Sequence, residues 1–154
     1  MNEAEWQVTS LIVQLVADID KTDMLLYVGK DFSGNINAIS TGGAASGIEL
    51  RKSYYNTATI QVDGDFSGNI TASGKTAYGI RIYQDDSTTS SSYVVASGLS
   101  IGGKLSGNIT AAANNGNAYG IYIYGRKSGA LSIGCGISGD IIAKSSQNGS
   151  AYGI

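Results

Sequence analysis

Ile60-Gln61-Val62-Asp63-Gly64-Asp65-Phe66-Ser67-Gly68-Asn69-Ile70-Thr71-Ala72 is one copy of a pattern that this chain writes four times. Its centre, Phe66-Ser67-Gly68-Asn69-Ile70, returns as Phe32-Ser33-Gly34-Asn35-Ile36, Leu105-Ser106-Gly107-Asn108-Ile109 and Ile137-Ser138-Gly139-Asp140-Ile141. A Gly-Ile pair follows each copy: Gly47-Ile48, Gly79-Ile80, Gly120-Ile121 and Gly153-Ile154. Repeats of this length mean one supersecondary unit stacked on itself, so the fold is decided by the repeat.

Aligned on Ser33, Ser67, Ser106 and Ser138, the copies need no gap over thirteen positions. Leu26, Ile60, Leu99 and Leu131 form one apolar column, and Val28, Val62, Ile101 and Ile133 the next. Phe32, Phe66, Leu105 and Ile137 form a third, Ile36, Ile70, Ile109 and Ile141 a fourth, Ala38, Ala72, Ala111 and Ala143 a fifth. Polar residues fill most positions between, which is strand alternation. The stretches Gly29-Lys30-Asp31, Asp63-Gly64-Asp65, Gly102-Gly103-Lys104 and Gly134-Cys135-Gly136 read as a corner whose Gly and Asp supply unusual backbone angles. A third strand is centred on each Gly-Ile pair, with Glu49 directly below Arg81 as an exposed ion pair. The reading is all-β: a right-handed parallel β-helix of about four coils, each with three short strands. It is preferred to a propeller, whose blades need four antiparallel strands.

The Ser and Asn columns have outward parity, and the column Gly34, Gly68, Gly107 and Gly139 inward parity, as relief of crowding or a local bend. Anchor spacings of 34, 39 and 32 residues put the length variation into loops, the longest running from Gln84 to Ser97. Residues 24–154 carry the repeats. Residues 1–23 read as an N-terminal cap or a degenerate first strand, and the whole as part of a longer protein.

Composition narrows function more by exclusion than by signal. The 154 residues include 22 Gly, no Pro, no His and one Cys, 14% are charged, and the net charge is −2. With no basic run, nucleic acid is not an expected partner. Without His, the commonest general base and metal ligand is missing. Lone Cys135 permits no intrachain disulfide. The acidic start, Met1-Asn2-Glu3-Ala4-Glu5, is not that of a secretory signal, and the apolar run Leu11 to Ala17 is too short to span a bilayer.

The units Ile60 to Ala72 with Ala77 to Tyr83, and Leu99 to Ala111 with Ala118 to Tyr124, resemble the passenger regions of bacterial autotransporters and related surface β-helix adhesins. That resemblance implies a rigid stalk displayed outside the cell, partnered by host-cell surfaces or glycans and by neighbouring coils of the same protein, with no cofactor. Asp31, Asp63 and Asp65 fall at one corner of adjacent coils, where pectate-lyase-like β-helices build Ca²⁺ sites from stacked carboxylates. They are weak metal candidates, since Asp is also a good corner residue and Lys104 and Gly136 share the column.

Tyr83, Tyr122 and Tyr124 are candidate binding residues as an exposed aromatic patch, set against a stabilising ladder between rungs. Tyr78, Tyr119 and Tyr152 read as inward or corner packing. Asp85, Asp86 and Tyr93 are the specific groups of the long loop. The expected function is a structural stalk segment, with adhesion, and not an enzyme. The alternative is a carbohydrate-active β-helix, a polysaccharide lyase or tailspike-like hydrolase. An ice-binding face is a third reading, undercut by the irregular column Asn37, Thr71, Thr110 and Ile142.

Overall fold

Apolar residues at every second position, with no Pro to remove a ladder donor, favour strands that bury one face. The computed structural model describes residues 13–15, 24–53, 58–85, 96–124 and 127–154. Those residues form thirteen strands and no helix. They are β1 (Val13–Leu15), β2 (Met24–Val28), β3 (Ile36–Ile39), β4 (Ala44–Ser53), β5 (Ala58–Val62), β6 (Ile70–Gly74) and β7 (Thr76–Asp85). Then come β8 (Ala96–Ile101), β9 (Ile109–Ala113), β10 (Ala118–Tyr124), β11 (Lys127–Ile133), β12 (Ile141–Ser145) and β13 (Ala151–Tyr152).

Every strand pairs with its counterpart one repeat away, and every pairing is parallel. The first sheet runs β2-β5-β8-β11, the second β3-β6-β9-β12, and the third β1-β4-β7-β10-β13. Register follows the apolar columns residue for residue. Leu26 stands opposite Ile60, Ile60 opposite Leu99, and Leu99 opposite Leu131. Ile36, Ile70, Ile109 and Ile141 align in the same way, and single bridges join Phe32, Phe66, Leu105 and Ile137.

One core serves all three sheets. Ile60 and Leu99 from the first, Ile70 and Ile109 from the second, and Ile80 and Ile121 from the third belong to a single buried cluster. Phe66 and Leu105 fill it at the corner, with Phe32 stacked on Phe66 at 4.5 Å between ring centroids. Ala72, Ala111 and Ala143 of the Ala column make a second cluster with Ala45, Ala77, Ala113 and Ala118. The middle two coils hold these columns fully buried; Leu26, Val28, Leu131 and Ile133 on the outer coils are half-buried.

Two details differ from the sequence reading. The third-sheet strands are not all short, since β4 and β7 each run for 10 residues. Gln84 and Asp85 belong to β7 and Ala96 and Ser97 to β8, so the long connection is shorter than Gln84–Ser97, and Asp86 and Tyr93 lie outside the described residues. Within 1–23, residues 13–15 extend the third sheet by pairing with β4.

Candidate functional site

The Ser-Gly-Asn sentence turns out to be a device for joining coils. The carbonyl of Phe32 accepts N–H groups from both Ser67 and Gly68 of the next coil, at 2.8 and 3.1 Å. The Phe66 carbonyl accepts from Ser106 and Gly107, and the Leu105 carbonyl from Ser138 and Gly139. For two successive N–H groups to converge on one oxygen, the second residue must lie flat on the coil below. A Cβ on Gly68 would strike the Gly34 carbonyl, one on Gly107 the Gly68 carbonyl, and one on Gly139 the Gly107 carbonyl. Gly68 and Gly107 are buried between exposed Ser and Asn, as their parity requires, and close approach to the preceding backbone is why the residue is glycine.

Asn completes the joint. Asn35 Oδ1 accepts the Asn69 backbone N–H at 2.9 Å and its side-chain amide at 3.0 Å. Asn69 Oδ1 accepts the N–H of Asn108, and Asn108 Oδ1 that of Asp140, both at 2.9 Å. The Asn and Ser columns are exposed, as their parity requires.

The corner aspartates work alike. Asp31 Oδ1 accepts the Asp65 N–H, and Asp65 Oδ1 accepts the Lys104 N–H, both at 2.8 Å. Each carboxylate leans over a glycine of the next coil, Gly64 or Gly103, where a Cβ would collide with it. Of the corner glycines only Gly136 has a positive φ, 83°, in the coil whose predecessor carries Lys104 instead of Asp. Gly64, Gly102, Gly103 and Gly134 are glycine because of proximity, not because of unusual backbone angles.

Asp63 points elsewhere. Its carboxylate accepts the Tyr27 hydroxyl and, at 2.8 Å, the Gln61 side-chain amide. These bonds, Tyr27 first and Gln61 second, hold its pKa below the usual carboxylate value, and the same contact raises that of Tyr27. Among the described residues no three His, Cys, Asp or Glu side chains are grouped closely enough to hold a metal ion.

Among the described residues, tyrosine and arginine side chains gather on the outer face of the third sheet. Tyr78, Tyr119 and Tyr152 stack in register, with centroids 5.1 Å apart at each step and interplanar angles of 5° and 10°. Tyr83 and Tyr124 form a second stack at 5.3 Å and 14°. Tyr122 joins the two, 4.7 Å from Tyr119 and 6.1 Å from Tyr124. The Arg81 guanidinium lies 4.4 Å from the Tyr78 centroid and 4.9 Å from that of Tyr83. It also pairs with Glu49 at 3.2 Å, half-buried and not fully exposed, a contact contributing about 0–1 kcal/mol. Burial chiefly raises the pKa of Tyr78 and of Tyr122.

Tyr83, Tyr122 and Tyr124 lie on this outer face, with Tyr83 and Tyr124 stacked as a ladder between rungs, while the sequence reading misplaced their neighbours. Tyr78, Tyr119 and Tyr152 face outward, with Tyr152 48% exposed. The alternation breaks at the Gly-Ile pair, where Gly79 and Ile80 are both buried, as are Gly120 and Ile121. A Cβ on Gly79 would meet the Gly120 carbonyl, so glycine lets two successive residues turn inward and resets parity. The signal was available: glycine recurs at that position in every copy. Asp85 lies at the end of β7, paired with Ser53 of β4.

Compared with protein-family models, with curated proteins and with solved structures, the chain matches none of them.

Proposed function

We propose that this chain is a structural stalk segment of a bacterial secreted or cell-surface protein, a right-handed parallel β-helix whose tyrosine face serves adhesion. The observation that carries the reading is the direction of its polar bonds. Asp31, Asp65, Asn35, Asn69 and Asn108 all join one coil to the next instead of converging on a cleft. Parallel crossovers between strands of one sheet are right-handed in nearly all proteins, which supports the hand. A core shared by three sheets supports closure of the coil. Stacked repeats with a rigid axis are suited to spanning distance and to presenting a surface.

Adhesion is assigned to the outer face of the third sheet because aromatic and Arg side chains dominate binding hot spots. Host-cell surfaces or glycans are the partners in this reading. Stacking occupies most ring faces, so a ligand would meet ring edges, phenol hydroxyls and the Glu49–Arg81 pair. The carbohydrate-active alternative would use Asp31, Asp63 and Asp65, yet two of these already accept backbone N–H groups and the third a phenol.

Purified protein should bind cells or immobilised glycans, and Arg81→Ala with Tyr124→Ala should lower that binding at least about tenfold while leaving the circular dichroism spectrum intact. Acidic polysaccharides should remain uncut with or without Ca²⁺. Ca²⁺-stimulated cleavage that disappears on Asp63→Ala and Asp65→Ala would install the lyase instead.

A further inference from the structure

We infer that the tyrosine cluster of the third sheet is a site of oxidative cross-linking, where one-electron oxidation joins Tyr122 to Tyr78 or Tyr119 as dityrosine. Six tyrosines here make one continuous set, with neighbouring centroids between 4.7 and 6.1 Å apart. Tyr124 and Tyr152 are 50% and 48% exposed and are the points where an oxidant can reach it. A phenoxyl radical formed there is within short hops of every other member.

Tilt selects the coupling partner. A bond between two ring carbons leaves the rings twisted and meeting edge to edge, which parallel stacks oppose. Tyr78, Tyr119, Tyr152 and the pair Tyr83 and Tyr124 are stacked within 14° of parallel. Tyr122 is parallel to Tyr124, within 2°, but strongly tilted against the other stack, by 56° to Tyr119 at 4.7 Å and by 58° to Tyr78 at 5.6 Å. Tyr78 lies on β7 and Tyr122 on β10, so the second of these bonds would pin adjacent coils covalently.

The chemistry balances with a peroxide as oxidant and a haem peroxidase as its carrier. Two phenols each lose one electron and the hydroxyl proton, and the radicals form a carbon–carbon bond ortho to the oxygens. The ring hydrogens then move to the oxygens and restore both aromatic rings. The two electrons and two protons removed reduce one hydrogen peroxide to two waters.

The test treats dilute protein with hydrogen peroxide and horseradish peroxidase, then reads dityrosine fluorescence and maps cross-linked peptides by mass spectrometry. The expected result is intrachain dityrosine at Tyr122, reduced at least about fivefold in Tyr122→Phe, which keeps the ring but cannot form the radical. The Tyr78–Tyr122 product should raise the unfolding midpoint by roughly 5–15 °C, as closing a long loop does. Tyr27→Phe, remote from the cluster, should change nothing. Cross-links that map mainly between chains or to tyrosines outside the cluster, or that persist in Tyr122→Phe, overturn the inference.

Discussion

The Ser-Gly-Asn corner and the tyrosine face lie on the same coils and tolerate change in opposite ways. At the corner, Gly68, Gly107 and Gly139 sit against the backbone of the preceding coil, and no side chain larger than hydrogen fits. On the tyrosine face the same stacking occurs between large side chains, whose ends reach solvent and can shift. The corner therefore determines whether coils stack, and the face determines what a stacked array presents. Register is a backbone property here; recognition is a side-chain property laid over it.

Gly107→Val is the sharpest way to break that distinction. It should destabilise by about 1–3 kcal/mol or more in urea unfolding, because the added carbons meet the Gly68 carbonyl and the chain below it. Ser106→Ala, one residue away and exposed, should change stability by less than about 0.5 kcal/mol. Equal effects at the two positions would mean that the corner is not backbone-limited.

Asn69→Ala tests the side-chain half of the joint. It removes the acceptor for the Asn108 N–H and the donor to Asn35, and a loss of about 0.5–1.5 kcal/mol is expected, because water replaces part of what is lost. Measured after Gly107→Val, it should prove the smaller change.

The smallest effect belongs to the face and to pH. Burial raises the pKa of Tyr78 and Tyr122 above the usual phenol value of 10.0, so the folded chain holds these protons more tightly than the unfolded one. Their contribution is complete below pH 10.0 and is lost as pH rises through the raised native values. Urea midpoints should be flat on approach to that pH and then fall, and Tyr122→Phe should fall less. An unchanged slope in the variant would place the alkaline loss elsewhere.

Much of this architecture was legible in the residues. Columns such as Ile36, Ile70, Ile109 and Ile141 could be read because the alignment has no gap and β3, β6 and β9 alternate in burial. The Glu49–Arg81 pair followed from the same register. What escaped was anything that depends on approach between backbones. Gly64 and Gly103 look like turn residues in sequence, yet they are glycine because an aspartate of the coil below lies over them. Tyr78, Tyr119 and Tyr152 read as inward or corner packing because simple alternation has no place for two successive inward residues. Only the recurrence of glycine before each isoleucine marked that break.

The glycines of the Ser-Gly-Asn stretch also set the unit in which such an array can grow or shrink. Gain or loss of a whole repeat returns glycine to its place over a carbonyl, and the core columns are extended or shortened without being disturbed. A change of one residue within the Ser-Gly-Asn stretch puts serine or asparagine into that contact and reverses the faces of the strand that follows. Spacings of 32, 34 and 39 residues show where smaller changes are absorbed, in the connections outside the aligned block. Addition or loss of whole repeats therefore changes the length of this array while leaving the strand register of its neighbours intact.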